Sequence, residues 1–219
     1  MSSAAKRFRP VVAIEVDGLL ATEVLPLPLP DRAFELDVTL KRNVYPTVGR
    51  PQPEWDEYGE RRERLWISKV GLDWVKNLLE SGTEVVWAST WREYANVYFT
   101  RALGLPELPV AVRWDGGHHA NTADWKASQL ARRFDGRPIL WVNNELPADG
   151  VRVLEALRHP RDRVLTHLFF IPSSSPVSAG DIGRMDEWLY LAGSAEGHAD
   201  LRRLRRTHQE WARQRNARG

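Results

Sequence analysis

The sequence predicts an α/β protein: a three-layer sandwich on a mainly parallel sheet, with a short β-rich insert after the first strand and a basic C-terminal helix. Three observations predict it. Short apolar runs at residues 11–14, 85–88 and 139–142, rich in valine and isoleucine, alternate with stretches of helical spacing. The 219 residues, 42% of them hydrophobic, suffice for one well-filled domain. No apolar run approaches the ~20 residues of a membrane span, so no membrane contact is expected.

Residues 11–20 read V-V-A-I-E-V-D-G-L-L, and the run that opens them has the length and composition of a buried strand. Across residues 21–66, Pro26, Pro28, Pro30, Pro46, Pro51 and Pro53 forbid a long helix. Residues 34–40 alternate as a half-buried strand does, so this stretch reads as a β-rich flap, inserted where it can cover a site. Ser68 then caps a helix that carries Val70, Leu72, Trp74, Val75, Leu78 and Leu79 at helical spacing, and Gly82 stops it. Residues 84–89 form a second strand, 93–103 a helix and 108–113 a short strand. Thr122 or Asp124 caps a helix to Phe134. Strands at 137–142 and 164–171 flank a short helix at 151–158, and the loop 173–178 leads into a last core helix with Ile182, Met185 and Trp188. Residues 1–195 thus form one domain, with 21–66 as its insert, and 196–219 form the basic helix.

The chain has no cysteine, which excludes disulfides, thiolate nucleophiles and zinc–thiolate sites and makes a cytoplasmic location the expectation. The net charge of +2 hides an asymmetry. Arg202, Arg203, Arg205, Arg206, Arg213, Arg215 and Arg218 face only Glu210 in the last stretch. Leu201, Leu204, His208 and Trp211 form a narrow apolar stripe on the same helix. Either the stripe docks and the arginines stay solvated, or the arginines meet nucleic acid or an acidic protein partner. His118 and His119 lack a third ligand at fixed spacing and read as a solvated turn.

Four features fall where strands and helices deliver them to one edge of the sheet, the edge at which open α/β sheets bind ligands. Glu15 and Asp17 end the first strand, and Gly18 turns the chain away. Ser89 and Thr90 end the second strand, Lys126 lies on the helix that follows Thr122, and Asn143, Asn144 and Glu145 end the strand at 139–142.

In order and spacing these features resemble the four motifs of haloacid dehalogenase-like phosphohydrolases, whose domain is Rossmannoid. E-V-D-G-L at 15–19 is similar to the family's D-x-D-G-x-[LVT]. V-W-A-S-T-W at 86–91 with Ala95-Asn96, and W-V-N-N-E at 141–145, are similar to W-A-T-T-W…A-N and W-V-D-D-E of small, nearly capless members, some fused in RNA-repair proteins. The likeness covers roughly residues 11–192. It implies Glu15 as nucleophile, Asp17 as general acid and then base, Ser89 (or Thr90) on the phosphoryl oxygens, and Lys126 as clamp. It also implies Mg²⁺ held by Glu15, Asp17 and the Asn143–Asn144 pair.

Two positions depart from the family pattern. Glu15 replaces the nucleophilic aspartate and extends its carboxylate by a methylene, where displacements near about 1 Å cost about a hundredfold. Asn143 and Asn144 replace anionic Mg²⁺ ligands by neutral amides, which weakens or abolishes the metal site. Without that charge, Lys126 is free to pair with Glu15 or Asp17. The expectation is a catalytically degenerate relative that binds or scaffolds, with nucleic acid or in a larger assembly. The alternative is a Mg²⁺-dependent phosphomonoester phosphohydrolase acting on a nucleotide, a nucleic-acid end or another phosphorylated small molecule.

Overall fold

The computed structural model describes residues 7–22, 32–46, 52–113, 123–144 and 150–216. Its elements in chain order are β1 (Val11–Ile14), β2 (Ala21–Thr22), β3 (Ala33–Lys41), β4 (Glu60–Ser68), α1 (Lys69–Glu80), β5 (Glu84–Trp87), α2 (Arg101–Leu103), α3 (Ala123–Arg133), β6 (Ile139–Asn143), α4 (Gly150–Leu157), β7 (Thr166–Phe170), α5 (Ala179–Ala192) and α6 (Ala195–Asn216).

Four strands pair in parallel in the order β5-β1-β6-β7. Both faces of β1 are buried, as a central parallel strand requires. Val12 and Ile14 pack into a cluster with Leu72 and Val75 of α1, Met185 and Trp188 of α5 and Leu201 of α6. Val11 and Ala13 join Leu130 and Ala131 of α3 and Leu154 of α4 in a second cluster. Helices therefore cover both sides of the sheet, in the three-layer α/β arrangement that the alternation of elements predicts.

The insert is a separate antiparallel sheet in the order β2-β4-β3. The sequence reading recognises β3 but not β4, whose E-R-R-E-R start is unlike a buried strand. Its charges are matched across the ladder, with Lys41 paired to Glu60 at 3.3 Å and Asp37 to Arg64 at 3.1 Å. An aromatic cluster ties this sheet to the loop after β5. Tyr45 meets Trp55 and Trp91 edge-on, and the Tyr98 hydroxyl donates to the Val44 carbonyl at 2.8 Å and accepts from the Lys41 N–H at 3.1 Å.

The capping of α1 follows expectation, since the Ser68 hydroxyl accepts from the Gly71 N–H. The strand expected at 108–113 is reduced to one bridge, Trp87 to Val110. Pro106 and Pro109 precede Val110 and lack the N–H groups that would extend the ladder on that side. The helix expected at 93–103 contains a π turn, Asn96–Thr100, before α2. Asn96 is occupied elsewhere: its Oδ1 accepts from Trp87 Nε1 and the Leu108 N–H, and its Nδ2 donates to the Leu108 carbonyl. On α6, Leu201 is buried while Leu204 is about half exposed. The side chains of His208 and Trp211 lie outside those described, as do Thr122, Glu145 and the His118–His119 pair. Among the described residues no helix is long and apolar enough to cross a membrane.

Two histidines give the fold a pH dependence. Burial pushes His167, stacked on Trp188, below the ordinary histidine value of 6.5. Burial also lowers His198, and the nearby Arg202 and Arg7 charges add to that. The unfolded chain thus takes up these protons more readily than the native one, so their contribution is full above 6.5 and is lost as pH falls through the lowered native values. Urea midpoints measured from about pH 7.5 down to about pH 5.5 should fall, and less steeply in His167→Phe. Equal slopes in the two proteins would show that His167 is not buried as a neutral ring.

Candidate functional site

The order of the parallel strands locates the site before any side chain does. From β1 the chain goes to β5 on one side, then crosses to β6 and β7 on the other. The carboxyl ends of β1 and β6 are therefore the topological switch point, where the loops part and leave a crevice. Glu15 is the first residue past β1, held there by its N–H to the Val142 carbonyl at 3.0 Å. Asn143 is the last residue of β6, and its carbonyl accepts from the Ile171 N–H at 2.9 Å.

Glu15 is 1% exposed. A carboxylate so deep must be charge-paired and fully hydrogen-bonded, and Glu15 is both. Oε2 accepts from Lys126 Nζ at 2.6 Å and from the Thr90 N–H at 3.3 Å. Oε1 accepts from the Val16 N–H at 3.0 Å and from the Ser89 hydroxyl. Ser89 is itself oriented by the Trp91 N–H, which donates to its Oγ at 3.1 Å.

Lys126 is wholly buried, and its ammonium reaches a second acceptor, Asn143 Oδ1, at 3.3 Å. It projects from the helix whose neighbouring residues Trp125, Ala127, Leu130 and Ala131 pack on the sheet, so the backbone that carries the charge is anchored by core contacts.

The residues singled out in the sequence thus divide. Glu15, Ser89, Thr90, Lys126 and Asn143 form one connected polar network. Asp17 and Asn144 stand beside it, both half-buried, with Asp17 in the turn closed by the Gly18 N–H to the Ala21 carbonyl at 2.7 Å. Among the described residues no three His, Cys, Asp or Glu side chains gather as metal ligands.

Arg92 escapes the sequence reading. It is 4% exposed, has a left-handed backbone with φ 52°, and its Nε finds no hydrogen-bond partner among the described residues. Nothing in an arginine-rich sequence distinguishes it. Only its position in the turn closed by its own N–H on the Ser89 carbonyl does so.

The chain matches no family model, no curated protein and no solved structure. Fold and site together define a class by geometry alone: a mixed α/β protein with a four-stranded parallel sheet, carrying a buried carboxylate–ammonium pair at its switch point.

Proposed function

We propose that this chain is a haloacid dehalogenase-like protein whose hydrolytic centre has become a structural ion pair, and that it works as a binding or scaffold module. The observation that carries this reading is the Lys126 ammonium, which bridges Glu15 Oε2 and Asn143 Oδ1. Those are two of the side chains that the family likeness assigns to Mg²⁺. An ammonium there competes with a divalent cation for the same oxygens.

The donor set is otherwise a poor match to Mg²⁺. This small cation gives up its water reluctantly and relies on carboxylate charge, whereas of the four implied ligands Asn143 and Asn144 are neutral, Glu15 is already paired, and Asp17 is the one other carboxylate. The same contacts work against nucleophilic attack, because both Glu15 oxygens are directed into hydrogen bonds with protein donors. Freeing one means breaking a buried ion pair or an N–H bond.

The test is turnover of an aryl phosphate with Mg²⁺. The expected result is no hydrolysis above that of Glu15→Gln, and a thermal midpoint that Mg²⁺ leaves unchanged. Turnover that disappears in Asp17→Asn would overturn the proposal in favour of a working phosphohydrolase.

A further inference from the structure

α6 presents two chemically different faces. Leu201 and Leu204 line an apolar depression with Phe169 and Trp188, while Arg202, Arg205 and Arg206 turn the other way. Their spacing of i, i+3 and i+4 puts those three guanidinium groups on one helical face. Opposite them, the turn that leads into β7 contributes Arg161 and Arg163, and the two segments enclose a cavity of about 440 Å³. Among the described residues it is lined by five arginines and no acid.

Arrangements of this kind normally neutralise themselves, and this one does so only in part. Arg205 donates to Glu155 on α4 at 2.8 Å. Among the described residues, Arg161, Arg163, Arg202 and Arg206 have no ion pair, and the Nε of Arg163 is buried with no hydrogen-bond partner. Like charges four apart, as at Arg202 and Arg206, destabilise a helix. Arg161, Arg202 and Arg206 are exposed and, with Arg163, give one concavity a concentration of positive charge that an incoming anion can share. The guanidinium fork matches phosphate oxygens two at a time, so the fitting anion carries phosphate.

We infer that this cavity is a binding site for the phosphate backbone of a polynucleotide, entered between the 160–164 turn and α6. A chain of phosphates fits better than a single nucleotide because the positive charge does not stop at the cavity. α6 runs for 22 residues, about 33 Å at 1.5 Å per residue, and its sequence continues beyond the cavity with Arg213 and Arg215. The contact is sequence-independent, since among the described residues the lining offers charge and forked donors but no aromatic platform for bases. This site shares no residue with the Glu15–Lys126 network, so hydrolytic activity there would leave it standing, and its own failure would leave the ion-pair reading standing.

The experiment uses the full chain and a fluorescent single-stranded RNA oligonucleotide, followed by anisotropy across a salt series. Binding should weaken steeply with salt. The double variant Arg202→Ala/Arg206→Ala should bind about tenfold more weakly at low salt, with its log–log salt slope reduced by about 1 or more. Arg161→Glu, on the turn rather than the helix, should lose affinity to a similar degree. Arg184→Ala, on α5 and outside the cavity, should not. A thermal midpoint unchanged or raised in the double variant separates lost contacts from lost folding.

Four results would overturn the inference. They are no retention of the oligonucleotide at low salt, unchanged affinity in both cavity variants, ATP binding as tightly as the oligonucleotide, or polyglutamate displacing RNA at equal charge.

Discussion

Lys126→Met is expected to lower stability by about 3 kcal/mol, read as a reduced urea midpoint with an unchanged denaturant slope. Methionine fills much the same volume as the lysine stem, so the loss isolates the charge. Removing one partner of a buried pair leaves the other ion desolvated, which costs about 3–5 kcal/mol. The lower end applies because Glu15 would keep the Val16 and Thr90 N–H groups and the Ser89 hydroxyl, three donors that still solvate the carboxylate. Glu15→Gln should be damaging for the converse reason, taking from the buried ammonium the carboxylate it meets at 2.6 Å while Asn143 Oδ1 remains at 3.3 Å.

The double variant Glu15→Gln/Lys126→Met decides between pairing and mere packing. If the two groups act on each other, as their 2.6 Å separation requires, it should recover much of the single-variant loss, with a coupling energy of about 2 kcal/mol or more. Additive losses, or a Lys126→Met change below about 1 kcal/mol, would show that the ammonium reaches water instead of Glu15.

How much of this was legible in the sequence depends on how local each signal is. The run at 11–14 and the cap at Ser68 declare themselves within a few residues, because burial and capping are decided by near neighbours. Glu15, Ser89, Lys126 and Asn143 are recognisable for a related reason: each closes or opens an element, and parallel topology brings such ends to one edge. That Lys126 reaches the Glu15 carboxylate is a matter of side-chain geometry, which spacing does not encode.

β4 is hidden because its strand state comes from β3, across nine paired residues, and not from its own charged composition. The bridge at Val110 shows the opposite error. A short apolar stretch looked like a strand, but prolines limit it to a single contact with Trp87. The arginine cavity is hidden by sequence distance: Arg161 and Arg163 look unremarkable until the fold sets them against α6.

Gly18→Ala is expected to destabilise the protein by about 2–4 kcal/mol, and the reason lies in how the loop after β1 is held. The backbone at Gly18 has φ +90°, a conformation that side-chain-bearing residues avoid. A Cβ there would stand 2.5 Å from the Ile171 carbonyl oxygen and 3.1 Å from Asn144 Cβ. Neither can move cheaply, because the Ile171 N–H is bonded to the Asn143 carbonyl and extends the β6–β7 ladder. Gly82→Ala supplies the control. Its φ is +77° but among the described residues nothing lies within 4 Å of the added carbon, so it measures the backbone contribution alone, about 1–2 kcal/mol.

The excess of Gly18→Ala over Gly82→Ala then reports the crowding between the β1 turn and the end of β7. Equal losses would mean that this turn has room to relax. If it has none, the strain must pass to the adjacent Asp17 and Asn144. It is the close approach of two backbones, as much as the turn itself, that requires glycine after the acidic pair.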